Sequence, residues 1–176
     1  MKAQIFKDNF GTAAISTHPY NSIPVLINSQ LSSPVWTNTQ SDWTWDVGSA
    51  GGADKAIRVL NTPSGTTLTL TLHVADGYQL SISSFSMWVK SATGGANSWI
   101  MYANGIEIGS GDPMRGSPGF NIGNTLVTYP ANGLKGTALI TIQLNGGGNA
   151  KPFLVDDFTL NGTVDCIPNP SIDIVS

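Results

Sequence analysis

Between Thr67 and Val74 the chain alternates Thr67, Thr69, Thr71 and His73 with Leu68, Leu70, Leu72 and Val74. A period of two gives an extended segment one polar and one apolar face, which predicts a half-buried antiparallel strand. After Asp76-Gly77 the pattern resumes, with Phe85, Met87 and Val89 alternating against Ser84, Ser86, Trp88 and Lys90, so Trp88 is expected on the polar face. Ala138, Ile140, Ile142 and Leu144 form a further inward set ahead of the loop Asn145-Gly146-Gly147-Gly148-Asn149. Asn104-Gly105 lies between Ile100-Met101-Tyr102-Ala103 and Ile106-Glu107-Ile108 and predicts a two-residue hairpin, because both central residues tolerate positive φ. No amphipathic helical pattern occurs. Short strands at this spacing predict an all-β fold, an antiparallel β-sandwich of jelly-roll type. Residues 11–34 and 109–124 interrupt the alternation, and the second of these stretches, rich in Gly, Pro and Ser, reads as a surface loop.

The segment Phe153-Leu154-Val155-Asp156-Asp157-Phe158-Thr159-Leu160 reads as a strand with a carboxylate on each face. Simple alternation places Asp156 with Leu154, Phe158 and Leu160, and Asp157 toward solvent. A carboxylate aimed at a core is expensive unless it is paired, hydrogen-bonded or bound to a metal. Two compensations are open for Asp156: a hard cation such as calcium, or hydrogen bonds from backbone amides in a strand-end turn.

Composition fits the strand reading, since 20 glycines and 10 prolines stand beside 40% hydrophobic and only 11% charged residues. The chain is expected to fold as one domain over residues 1–164, with 165–176 a linker or the start of a following segment. A net charge of −3, with eight lysines and arginines spread along the chain, argues against a nucleic-acid partner. Membrane insertion is not expected either, because no apolar run approaches the ~20 residues a spanning helix requires. The single cysteine, Cys166, has no histidine beside it in sequence to activate it.

Sugars present flat apolar faces edged with hydroxyls, so a site for them needs an exposed aromatic ring and nearby amides or carboxylates. Trp88, Trp43, Trp45 and Tyr102 are the ring candidates, and Gln143, Asn97, Asn104 and Arg58 are available as polar partners. Core packing is the competing role for any tryptophan. Enzyme readings find little. Glu107, Asp112, Asp156 and Asp157 are not placed by any motif as a pair facing one cleft, His18 and His73 lack the context of a triad, and no GxSxG or HExxH occurs. Thr67, Thr69 and Thr71, echoed by Thr137 and Thr141, leave open an outward threonine ladder suited to ice or adhesion, although threonine also simply favours strands.

Asp8-Asn9-Phe10-Gly11, Trp43-Thr44-Trp45 before Gly48-Ser49-Ala50-Gly51-Gly52, Lys55-Ala56-Ile57-Arg58-Val59, Phe85-Ser86-Met87-Trp88-Val89-Lys90 and Val155-Asp156-Asp157-Phe158-Thr159-Leu160 occur in that order. In this arrangement the chain resembles the jelly-roll carbohydrate-binding modules of secreted bacterial proteins, over residues 4–164. The resemblance implies a non-catalytic accessory module of a larger exported, extracellular protein. Its expected partners are a polysaccharide or glycan and the other domains of the parent chain. It also implies a structural calcium held by Asp156, with Asp8 as second ligand and backbone carbonyls of residues 48–52 completing the shell. The alternative is a structural or adhesion β-sandwich, ice-binding included, without a sugar ligand.

Overall fold

The structure is a computed structural model that describes residues 3–13, 15–47, 55–62, 65–111 and 120–168, with the backbone alone described for 44–47, 55, 120–121, 124 and 128–132. Thirteen strands are seen among the described residues. They are β1 (Ala3–Asp8), β2 (Tyr20–Asn21), β3 (Leu26–Ile27), β4 (Leu31–Asn38), β5 (Thr44–Val47), β6 (Lys55–Asn61), β7 (Thr66–Val74), β8 (Tyr78–Ser91), β9 (Ser98–Ala103), β10 (Ile106–Gly111), β11 (Phe120–Leu134), β12 (Thr137–Asn145) and β13 (Lys151–Cys166). Among these residues no helix is long and apolar enough to cross a membrane.

All strand pairings are antiparallel, and they build two sheets. The first runs β11-β8-β13-β1-β3, with β6 also on β13 and β5 on β6; the second runs β10-β9-β12-β7-β4-β2. The chain passes repeatedly from one sheet to the other, which makes the all-β sandwich of jelly-roll type that the alternation predicts. Its core is the sum of the inward sets: Leu68, Leu70, Leu72 and Val74 of β7 and Ala138, Ile140, Ile142 and Leu144 of β12 face Phe85, Met87 and Val89 of β8, all at most 1% exposed. Asn104 and Gly105 take φ of 46° and 82° between the paired Ala103 and Ile106, as the predicted hairpin requires. Part of the stretch read as one loop over 109–124 is strand. β10 continues to Gly111 and β11 starts at Phe120, leaving residues 112–119 outside the described residues. At the other end β13 continues to Cys166, paired there with Tyr78, so the strand runs past residue 164.

The strand that carries the two aspartates departs from simple alternation. Val155 and Phe158 both lie in the core with two residues between them, so one residue is inserted, and Asp157 takes φ of 47°. The cause is visible in the pairing. One edge of β13 pairs with β6 from Lys151 to Val155 and with β1 from Phe158 onward, and the register against β8 shifts between Asp156 and Thr159. Asp156 and Asp157 occupy the change of neighbour. The expectation that Asp156 shares a face with Phe158 and Leu160 is therefore corrected: the bulge turns those two inward and leaves Asp156 on the side of Leu154.

Candidate functional site

The outer face of the second sheet is built by register alone. Thr37 of β4 pairs with Thr69 of β7, Thr69 with Thr141 of β12, Thr141 with Tyr102 of β9, and Tyr102 with Glu107 of β10, which makes one row across five strands. The next row holds Thr67, Gln143, Ile100 and Ser110. Side chains directly opposite one another on an antiparallel pair sit about 5 Å apart at Cβ, so these residues form one surface. Tyr102, Ile100, Thr141 and Gln143 are half-buried, and Glu107 and Ser110 are exposed.

The polar groups of this face differ in how far the fold uses them. Asn104 is spent on the hairpin, where its Oδ1 accepts from the Leu139 amide at 2.7 Å and its Nδ2 donates to the Thr137 carbonyl at 3.4 Å. Gln143 Nε2 donates to Asn145 Oδ1 at 3.0 Å, which fixes the amide plane beside Ile100 and Thr141. The Thr69 and Thr141 hydroxyls bond each other at 3.1 Å. Opposite the threonines of β7, β12 offers Leu139 and Gln143 as well as Thr141, so the outward ladder is not regular. An aromatic ring, a carboxylate and an oriented amide thus share one face, a set able to stack on an apolar ligand surface and bond its rim hydroxyls.

The other aromatic candidates lie elsewhere. Trp88 does project away from Met87 and Val89, as alternation predicts, yet it is only 4% exposed. The outer face of the first sheet carries its own apolar patch there, with Trp88 packed among Ala56 and Leu154. The expected exposed platform is corrected to a buried ring. Trp43 is also buried, at 4%, with His18 stacked at a tilt 5.6 Å away, and it too fails as a platform. The Trp45 side chain lies outside the described residues. Arg58 is half-buried at the edge of the Trp88 patch, paired with Leu154, and Asn97 is exposed in the β8–β9 connection.

Asp8 ends β1 on the core side and is fully buried. Its Oδ1 accepts from the Phe10 amide at 2.8 Å, and its Oδ2 accepts from Trp36 Nε1 at 3.0 Å and from the Ser22 hydroxyl. Burial raises its pKa above the ordinary carboxylate value, and the bonds from Ser22, Phe10 and Trp36 pull the other way. Both oxygens are engaged by protein donors, so Asp8 does not fit the role of a calcium ligand; it ties β1 to the second sheet. The charge on Asp8 in turn adds to burial in raising the Tyr20 pKa. Asp156 is fully buried and its Oδ1 accepts from the Asp157 amide at 2.7 Å. No group of three or more His, Cys, Asp or Glu suited to a metal is found among the described residues.

Glu107 is the residue the sequence reading passed over as a binding group. The signal for it was present: a two-residue turn at Asn104-Gly105 pairs Ala103 with Ile106 and necessarily Tyr102 with Glu107.

No family model matches the chain, and no curated protein matches it. Among solved structures it is similar to the CBM22-1–GH10 modules of the N-terminal endo-1,4-β-D-xylanase 10B of Clostridium thermocellum, complexed with xylohexaose, at 13% identity over 96% of this chain with a TM-score of 0.51. The chain spans 30% of the length of that protein. It is also similar to the family 11 carbohydrate-binding module of Clostridium thermocellum in complex with a β-1,3-1,4-mixed-linked tetrasaccharide, at 15% identity over 92% of this chain and 98% of that one, with a TM-score of 0.39. A third similar structure is TmCBM61 in complex with β-1,4-galactotriose, at 12% identity over 79% and 90% of the two chains, with a TM-score of 0.33. At such identities the likeness shows the fold, a carbohydrate-binding-module-like β-sandwich, and the first of the three structures carries it.

Proposed function

We propose that the chain is a non-catalytic carbohydrate-binding module that takes a neutral polysaccharide on the outer face of the second sheet. The observation that carries the proposal is Tyr102, half-buried and paired across the sheet with Thr141 on one side and Glu107 on the other, with Gln143 in the adjacent row. In this reading the ring stacks on the apolar face of a sugar unit, Glu107 accepts from hydroxyls, and Gln143 both donates and accepts. An extended glycan lies along the row, which crosses five strands. The shared fold with a protein complexed with xylohexaose supports the scaffold, and the Tyr102 face itself supports the ligand.

The non-catalytic part of the reading is supported by the spread of carboxylates among the described residues, with Asp8 and Asp156 buried, Asp157 ion-paired on the first sheet and Glu107 on the Tyr102 face. The proposal includes a structural calcium with Asp156 as its carboxylate ligand. Support for it is the complete burial of that group where β13 changes neighbours, beside Leu154 and across from Trp88. A module of this kind works outside the cell as an accessory to a larger exported protein, which its low charge and richness in Gly, Thr and Asn suit. A glycan array of neutral polysaccharides tests the proposal; capture of at least one of them is expected, and an array without any bound glycan favours the structural or adhesion module.

A further inference from the structure

The opposite face of the sandwich holds a polar trough of about 540 Å³, within the range of small-ligand sites. It crosses four neighbouring strands and is lined by Gln4 and Lys7 of β1, Asp157 and Asn161 of β13, Ser86 of β8 and Gly123 of β11, among others. A regular sheet offers no such depression. Each pairing here is irregular at the trough: β1 with β13 between Gln4 and Phe6, β13 with β8 between Asp156 and Thr159, and β11 with β8 between Ile122 and Thr125. Three register shifts thus fall beside three lining residues, Gln4, Asp157 and Gly123. Bulges re-aim side chains and gather at sites, and a non-glycine residue at positive φ, as Asp157 is at 47°, is a strained conformation of the kind that clusters at ligand clamps.

From this geometry we infer that the trough is a second saccharide site, separate from the Tyr102 face and on the other side of the sandwich. Lys7 Nζ lies 3.3 Å from Asp157 Oδ1, so the charged part of the lining is one neutral pair, with both side chains about a third exposed. Around it stand the amides of Gln4 and Asn161 and the hydroxyls of Ser86 and Thr159, with Met87 and Ile122 as the apolar part of the lining. A carboxylate that accepts, an ammonium that donates and amides that do both match the vicinal hydroxyls of a neutral sugar seen edge-on, whereas a charged ligand would face its own sign in one half of the pair. The trough shares the ligand class of the proposed function but none of its residues. With both faces occupied, one module bridges two glycan strands.

The test is a chemical-shift titration of the labelled chain with xylohexaose, cellohexaose and β-1,4-galactotriose, read at the amides of Lys7, Ser86, Asp157 and Thr159 and separately at Tyr102 and Gln143. The inference predicts saturable shifts at the trough with at least one probe. Lys7→Met and Asp157→Gly should weaken them about tenfold or more while leaving the Tyr102 signals in place. Glycine accepts the positive φ at 157, so the bulge survives that substitution. Gly123→Leu adds bulk at a position where a Cβ meets nothing within 4 Å and is an independent way to obstruct the trough. Shifts confined to the Tyr102 face overturn the second site and keep the proposed function. Trough shifts without Tyr102 shifts support it and contradict the first site. Trough shifts unchanged in all three variants, or no shifts anywhere, overturn it.

Discussion

Asp8 shows how a single buried carboxylate connects sequence, packing and pH. It accepts three donors, from Phe10, Ser22 and Trp36, and still its burial holds its pKa above the ordinary value of 3.8. The folded chain therefore keeps this proton at pH values where the unfolded chain has released it. The stabilising contribution is present in full below about the ordinary value and is lost as pH rises through the raised folded value. Asp8→Asn should lower stability by an offset, because an amide cannot accept all three donors, and should remove this descending component. Urea melts of both chains from pH 3 to pH 7 check it: the stability gap between them should narrow as pH rises, and parallel profiles would count against the assignment.

Asp156 is tested by a different measurement at the same scale. If calcium compensates this carboxylate, chelation lowers the wild-type melting temperature, and a hundredfold excess of calcium over its dissociation constant restores about 2.7 kcal/mol. Melts of Asp156→Asn should be the same with chelator and with calcium. Coincident wild-type melts after exhaustive chelation would instead assign Asp156 to hydrogen bonds alone, beginning with the Asp157 amide.

At the scale of elements, the pairing of β13 with β8 leaves no room for a side chain at Gly162. A Cβ at Gly162 would lie 1.9 Å from the Ser81 carbonyl oxygen, next to the register shift at Asn161 and Gly162. Backbone cannot yield as a flexible side chain can, so Gly162→Ala should cost about 1–3 kcal/mol or more in denaturant unfolding, and a neutral result would show that the strands separate easily there.

The same elements show what the residue pattern reveals. β7 and β12 were legible because their alternation is unbroken, and the β9–β10 hairpin because its turn residues are specific. β11 was not, since Gly123, Asn124, Pro130 and Gly133 dilute its apolar positions and its register against β8 shifts more than once. The Val155-Asp156-Asp157-Phe158 bulge was hidden for a different reason: an inserted residue leaves local composition unchanged and reverses the facing of everything after it. The facing of Trp88 was legible and its burial was not, because burial depended on Ala56 and Leu154, which come from strands distant in sequence. Of the site, Tyr102 was legible and the hairpin already paired it with Glu107, whereas Thr141 comes beside it through a β9–β12 pairing that only the assembled sheet displays.

At the scale of the whole molecule, two sheets give the sandwich two outer faces with different chemistry. One presents a ring, a carboxylate and an oriented amide on a flat row of threonines; the other presents a polar trough at a set of bulges beside a covered apolar patch. The core is common to both, and the exposed and half-exposed side chains on either face, Tyr102 and Lys7 among them, stand outside it. Tyr102 is half-exposed and stands outside the core cluster, so its truncation should cost far less than the roughly 3–5 kcal/mol of a buried aromatic. The direct measurement is isothermal titration of wild type and Tyr102→Ala with the strongest-binding polysaccharide from the array, beside thermal melts of both. The account predicts a loss of about tenfold or more in affinity with little change in melting temperature. Unchanged affinity in a folded Tyr102→Ala chain would contradict it.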